Sequence, residues 1–261
     1  MIGFFFKKAF FDGWDNLFAL AAYNIAYLAL AAVFIVLPLS VGAGDALTIA
    51  CMIVGILALS QWQALTAFSI SEIADYRAPG FKATFEHFPK SWRSGLVMGA
   101  INLGLWFTYT VGIPFYLSQK GFLGLFLASL LFWISLVALL ASQYYLPLAV
   151  RRGGGFKDTA RISLILLMDN LGFTLFLFVY NIITFVLSAL TAFMAPGPAG
   201  MALASAVAVK LRWTKYEWAE ANPGTNRRKA PWDELLEEEK DLVGERTLKG
   251  MIFPWKEGNS R

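Results

Sequence analysis

Cysteine and histidine are almost missing: the 261 residues hold one of each, Cys51 and His87. A single thiol cannot build a disulfide framework or a thiolate metal site within the chain, and a single imidazole has no second ring to share a metal ion. Charge is scarce too, at 15% Asp, Glu, Lys and Arg against about 25% in soluble domains. There is no Gly-rich phosphate loop, no Cys/His cluster, and no pair of acids beside a histidine. These absences argue against an enzyme and against any cofactor or metal site. The net charge of +4 gives a nucleic-acid partner no support. No Asn-x-Ser/Thr sequon occurs, which is compatible with a bacterial inner membrane.

Apolar residues fill the space that charge leaves, at 57% of the chain. Uncharged runs cover residues 16–44, 46–71, 94–119 and 121–150, each above the roughly 20 residues a helix needs to cross the hydrocarbon core. A fifth run, 162–209, carries one charge, Asp169, and is broken by Ala195-Pro196-Gly197-Pro198-Ala199-Gly200. Prolines there remove backbone donors and favour a turn, so the run divides into two helices. The second, about 200–209, is short for a crossing unless its basic end snorkels, and a re-entrant segment is the alternative. Val41-Gly42-Ala43 resembles a signal cleavage site, but the apolar run before it exceeds the 7–15 residues of a signal core, so the first helix reads as retained. The sequence thus predicts an all-α polytopic membrane bundle of about six transmembrane helices over residues 1–210. A short tail over 211–261 contains one acidic amphipathic helix.

Five polar positions within the apolar runs form the candidate intramembrane site: Asp169, Asn170, Asn102, Asn181 and Asn24. An acid at membrane depth is costly and makes a functional role the default hypothesis, against which stands the plainer reading that it pairs with Arg161 or Lys157 or caps packing near the interface. Buried amides serve as glue between helices more often than as a pathway. Gly80-Phe81-Lys82-Ala83-Thr84 and Gly155-Phe156-Lys157-Asp158-Thr159 share Gly-Phe-Lys-x-Thr, and an Asn-Leu-Gly follows each, at 102–104 and 170–172. This reads either as a repeated hairpin or as two similar basic loop-to-helix entries.

The tail alternates basic and aromatic residues from Lys210 to Trp218, as headgroup contact requires. From Pro231 onward a short helix sets Trp232, Leu235, Leu236, Leu242 and Val243 on an apolar stripe among acids. Phe253 and Trp255 close the chain with more apolar surface. These seven residues are candidates for docking, onto the protein's own basic loops at 77–93 and 151–161 or onto a membrane-protein partner.

The segment Phe81-Lys82-Ala83-Thr84-Phe85-Glu86-His87-Phe88-Pro89-Lys90-Ser91-Trp92-Arg93-Ser94-Gly95 resembles the Phe-rich basic entry of the YesL-like family of small bacterial membrane proteins. Asn24, Pro38 and the later Gly-Phe-Lys-Asp-Thr loop are similar in placement, over roughly residues 1–210. The resemblance implies an inner-membrane protein working beside carbohydrate uptake systems, with no catalytic residue to carry over. The reading is an accessory or scaffold subunit of a membrane complex, with a solute uptake system as the expected association; a small solute transporter or channel with an intramembrane acid is the alternative. The expected partners are the lipid bilayer and a membrane protein engaged through the tail.

Lys and Arg concentrate before the first helix, between the second and third, and between the fourth and fifth, while the three opposite turns hold Lys120 alone. By the positive-inside rule both termini are cytoplasmic. Reporter fusions at Gly44 and at Arg261 are expected to report opposite compartments; the same compartment for both would overturn the topology.

Overall fold

The computed structural model describes residues 1–42, 44–78, 80–224, 230–244 and 246. Every regular element among them is helical. The chain runs α1 (Ile2–Asp15), α2 (Leu17–Ser40), α3 (Asp45–Ala74), α4 (Phe81–Glu86), α5 (Phe88–Ser118), α6 (Phe122–Arg152), α7 (Phe156–Asp169), α8 (Leu171–Ala189), α9 (Gly197–Ala221), α10 (Trp232–Leu235) and α11 (Glu237–Val243). Five of these, α2, α3, α5, α6 and α8, are long and apolar enough to cross a membrane. Their outward faces carry large exposed apolar side chains such as Phe18, Val36, Phe122 and Trp133, the pattern of a multi-pass bundle whose solvent is lipid.

Two crossings contain a π-helical turn, Ala32–Val36 in α2 and Thr108–Gly112 in α5. Each ends two residues before a proline, Pro38 and Pro114. Proline lacks an N–H and its ring collides with the carbonyl four residues back, so widening the preceding turn lets each helix continue.

The sixth helix differs from the expected short segment at 200–209. α9 extends 25 residues, and Leu203 through Val209 are all buried, as is Leu211. It is the central strut of the bundle, rich in Ala and Gly so that neighbouring helices approach closely. A helix with little lipid-facing surface needs little hydropathy, which explains its weak signal. It runs unbroken through residue 210, where the sequence places the start of the tail.

α9 also begins part-way along the bundle. Asn24, seven residues into α2, donates through Nδ2 to the carbonyls of Met194 and Pro196 at 3.0 and 2.8 Å and accepts from the Ala199 N–H at 2.8 Å. Beyond Asn24, α2 continues to Ser40, about 24 Å further at 1.5 Å per residue. The α8–α9 hairpin therefore packs against one half of the bundle.

The run 162–209 breaks in a second place. α7 ends at Asp169 and α8 begins at Leu171. Asn170 sits in the break with φ −135° and ψ 40°, as Asn16 does between α1 and α2 with φ −114° and ψ 24°. Both breaks read Asp-Asn-Leu, and both Asn side chains donate to the carbonyl four residues back, Asp12 at 2.9 Å and Leu166 at 3.2 Å. The structural repeat is thus an amphipathic helix, an Asn hinge and a crossing. The Gly-Phe-Lys-x-Thr entries are alike locally: Gly80 and Gly155 both cap helices in extended geometry, and Thr84 and Thr159 are both buried. The Asn-Leu-Gly segments are not equivalent, since Asn102 lies inside α5.

Replacing Asn24 with Leu strands the Met194 carbonyl and the Ala199 N–H, each costing about 1–3 kcal/mol if buried, while the Pro196 carbonyl keeps the Gly200 N–H at 3.0 Å. A Cβ on Gly197, which has φ +61°, would lie 2.3 Å from the Asn24 amide. Asn24→Leu and Gly197→Ala are both expected to lower the thermal midpoint of the purified protein by several degrees; an unchanged midpoint for both would remove this joint as a structural element.

Candidate functional site

The candidate polar residues do not converge on one place. Asn24 caps the α8–α9 turn as described. Asp169 is not inside a continuous apolar helix: it is the last residue of α7 and exposed, and its Oδ2 accepts from the Tyr216 hydroxyl at 3.1 Å. Asn170 is buried in the hinge, where its Nδ2 also meets the Tyr216 hydroxyl at 2.9 Å. Only Asn102 and Asn181 share a cavity.

That cavity is a cleft of about 360 Å³ among α3, α5, α6, α8 and α9. Its polar lining includes Gln63, Asn102, Ser142, Gln143, Asn181 and Ser205, and none of its lining residues is charged. Asn102 donates to Ser60 Oγ at 2.9 Å, and Asn181 donates to Gln143 Oε1 at 3.1 Å. The cleft can orient a neutral polar group through these amides and hydroxyls.

A second arrangement, which sequence reasoning missed, lies where α11 meets α1, α9 and the end of α3. Lys8 on α1 is 0% exposed, a position a lysine occupies only when its charge is matched. Its Nζ is 2.9 Å from Asp12 Oδ2, 3.6 Å from Glu239 Oε2 and 3.4 Å from the centre of the Tyr76 ring. Lys210 on α9 approaches from the other side, 2.7 Å from Glu239 Oε1 and 3.3 Å from Asp75 Oδ1, and donates to the Ala74 carbonyl at 3.0 Å. The Tyr76 hydroxyl donates to Glu239 Oε2 at 2.7 Å, and Arg151 closes on Asp75 at 3.1 Å. Lys8, Lys210 and Arg151 thus face Asp12, Asp75 and Glu239, so the charges balance. Tyr76 holds φ 60°, a conformation uncommon for a bulky residue and sustained here by the contacts of its ring and hydroxyl.

Glu239 comes from the tail. The expected single amphipathic helix is two, α10 and α11, broken at Leu236. Leu236 and Val243 are buried, Trp232 and Leu235 are half-buried, and Leu242 is 55% exposed and turned away. The five therefore do not form one buried stripe. Phe253 and Trp255 lie outside the described residues. The ion pairs that hold the tail come from α1 and α9, not from the loops at 77–93 and 151–161; of the basic residues in those loops Arg151 joins the network, through Asp75. Lys7 Nζ donates to the Gly244 carbonyl at 2.7 Å, and Arg246 pairs with Asp15 at 2.8 Å. A signal existed: Phe5, Lys8, Ala9 and Asp12 fall at helical spacing on one face, so a cation and an acid lie within an apolar stripe.

Burial lifts Asp12 to about 6, against the pull of Lys8. Burial likewise lowers Lys8, opposed by Asp12. For Glu239 burial pushes upward, but hydrogen bonds from Lys210 and Tyr76 outweigh it and hold the carboxyl below its ordinary value. Among the described residues no cluster of His, Cys, Asp and Glu could hold a metal ion. No family model, curated protein or solved structure matches this chain.

The two carboxyls have opposite pH signatures. An acid raised on folding, Asp12, favours the folded state below its raised value, and that advantage is lost as pH rises from about 4 to 6. A lowered acid, Glu239, contributes above its ordinary range and is lost as pH falls through its depressed value. Amides of Glu237–Val243 are therefore expected to stay protected from exchange between pH 7 and 5. Glu239→Gln should cost about 1.5–3 kcal/mol of docking and speed their exchange tenfold or more at pH 7; exchange as slow as in the parent would show that Glu239 does not hold the tail.

Proposed function

We propose that this chain is a multi-pass accessory or scaffold subunit of a membrane complex, seated in a bacterial inner membrane with both termini cytoplasmic. The observation that carries the reading is the two-sidedness of the tail. Its inner side is consumed by Leu236, Val243 and Glu239. Its outer side presents Asp233, Glu234, Glu237, Glu238 and Asp241 as exposed carboxylates around the exposed Leu242. Such an acidic platform is suited to a basic surface on a partner, with charge supplying steering and register and Leu242 supplying apolar contact. The positive-inside rule assigns the end bearing Lys7, Lys8, Lys210 and Arg151 to the cytoplasm. The resemblance to the YesL-like family agrees with a place beside a solute uptake system.

A second reading, a small solute transporter, draws on the neutral polar cleft. Its original support is weaker, because Asp169 does not line that cleft.

The test is purification of the full chain from native membranes in mild detergent, beside the triple variant Glu237→Lys, Glu238→Lys, Asp241→Lys. The expected outcome is a stoichiometric co-purifying membrane protein whose yield falls at least tenfold with the variant, while the variant's own thermal midpoint is unchanged. A monomeric chain without partners, or a partner indifferent to charge reversal, would overturn the scaffold reading.

A further inference from the structure

Asn181 is 6% exposed, and among the described residues its Oδ1 has no hydrogen-bond partner. The identity of that lone atom is fixed by its neighbours. The Leu140 carbonyl can only accept, so Gln143 must present Nε2 to it, at 3.2 Å. Gln143 then turns Oε1 toward Asn181, which must answer with Nδ2, at 3.1 Å. What remains is an acceptor at the end of the chain of amides. A buried acceptor without a donor costs about 1–3 kcal/mol.

The cleft therefore requires a donor, and it requires a neutral one. Neither an ammonium nor an anion would find a counter-charge among its lining residues. At about 360 Å³ the space is at the lower end of the range for small-molecule sites. Its walls include Met98, Leu139, Phe178 and Met201, and its rim on α8 is formed by Ile182 and Phe185, 47% and 50% exposed. Those two residues share the apolar outer face of a crossing, so the approach is from the bilayer.

We propose that the cleft binds the uncharged, hydroxyl-bearing headgroup of an amphiphile of the acylglycerol class, the hydroxyl donating to Asn181 Oδ1 and the first methylenes lying against the apolar wall. This is a lipid site, independent of the acidic platform on the tail.

The full chain in phosphatidylcholine nanodiscs would be titrated with monooleoylglycerol, methyl oleate, oleic acid and free glycerol, with bound ligand read by native mass spectrometry. Saturable binding of monooleoylglycerol, at least tenfold tighter than methyl oleate and oleic acid, is expected. Asn181→Leu should weaken it about tenfold, and Ser205→Phe, which fills the cleft from α9, should abolish it. Equal binding of methyl oleate would overturn the proposal without recourse to any variant. Saturable binding of glycerol alone would overturn the amphiphile in favour of a soluble polyol. Indifference to every ligand would mean that water satisfies Asn181.

Discussion

Two lysines face the same tyrosine from different helices, and the carboxylate of Glu239 joins them. Lys8 belongs to the first helix and Lys210 to the central one, and their ammonium groups lie 3.4 and 4.6 Å from the centre of the Tyr76 ring. Without a carboxylate between them they would repel in a place where water is scarce. Asp12 and Asp75 each answer one of them, but Glu239 reaches both, one oxygen to each. The tail is therefore an integral counter-ion of the bundle. Charge pairs of this kind contribute little net stability after desolvation, yet removing one partner is costly. Their value lies in register: the network fixes α1 against α9 and the α3 terminus against both, and it does so with α11, far along the chain from α1.

The crossings were legible because a helix in lipid has to be apolar along its length. α2, α3, α5 and α6 match uncharged runs closely, since their outer faces meet hydrocarbon whatever their inner faces do. α9 was hard to read for the complementary reason. Surrounded by other helices, it gains from small residues that permit close approach, and it can carry Lys210, Arg212 and Lys215 because protein groups, not lipid, receive them. The hinge at Asn170 escaped notice because both flanking helices are apolar and a single Asn in such a run reads as glue. Its twin at Asn16 is equally hidden, because it falls at the very start of an uncharged run.

The candidate site was legible only in kind. Each Asn within the apolar runs makes a side-chain hydrogen bond, but the partners diverge with backbone geometry, which spacing does not encode. Asn24 satisfies a turn 170 residues away, Asn170 a hinge, Asn102 a neighbouring helix, and Asn181 a glutamine in the cleft. Asp169 looked deep because the run around it is long. Once the chain breaks one residue later, that acid becomes a helix end that a tyrosine hydroxyl can reach.

The cleft and the charge network are two consequences of one shortfall in length. α8 and α9 turn back at the level of Asn24, about 24 Å along α2 from its far end, so they pack against part of the bundle only. Where their inner faces meet α3, α5 and α6 they leave a neutral space rimmed by Ile182 and Phe185. With its start set that far in, α9 carries its basic residues beyond the ends of α3 and α6, so that Lys210 emerges beside Ala74 and Asp75 rather than in hydrocarbon. Sliding α9 at its present length toward the far end of α2 would draw Lys210 into the apolar layer and separate it from Glu239. The position of the Pro196–Pro198 turn, held by Asn24, thus sets both where the cleft opens and where the tail can dock.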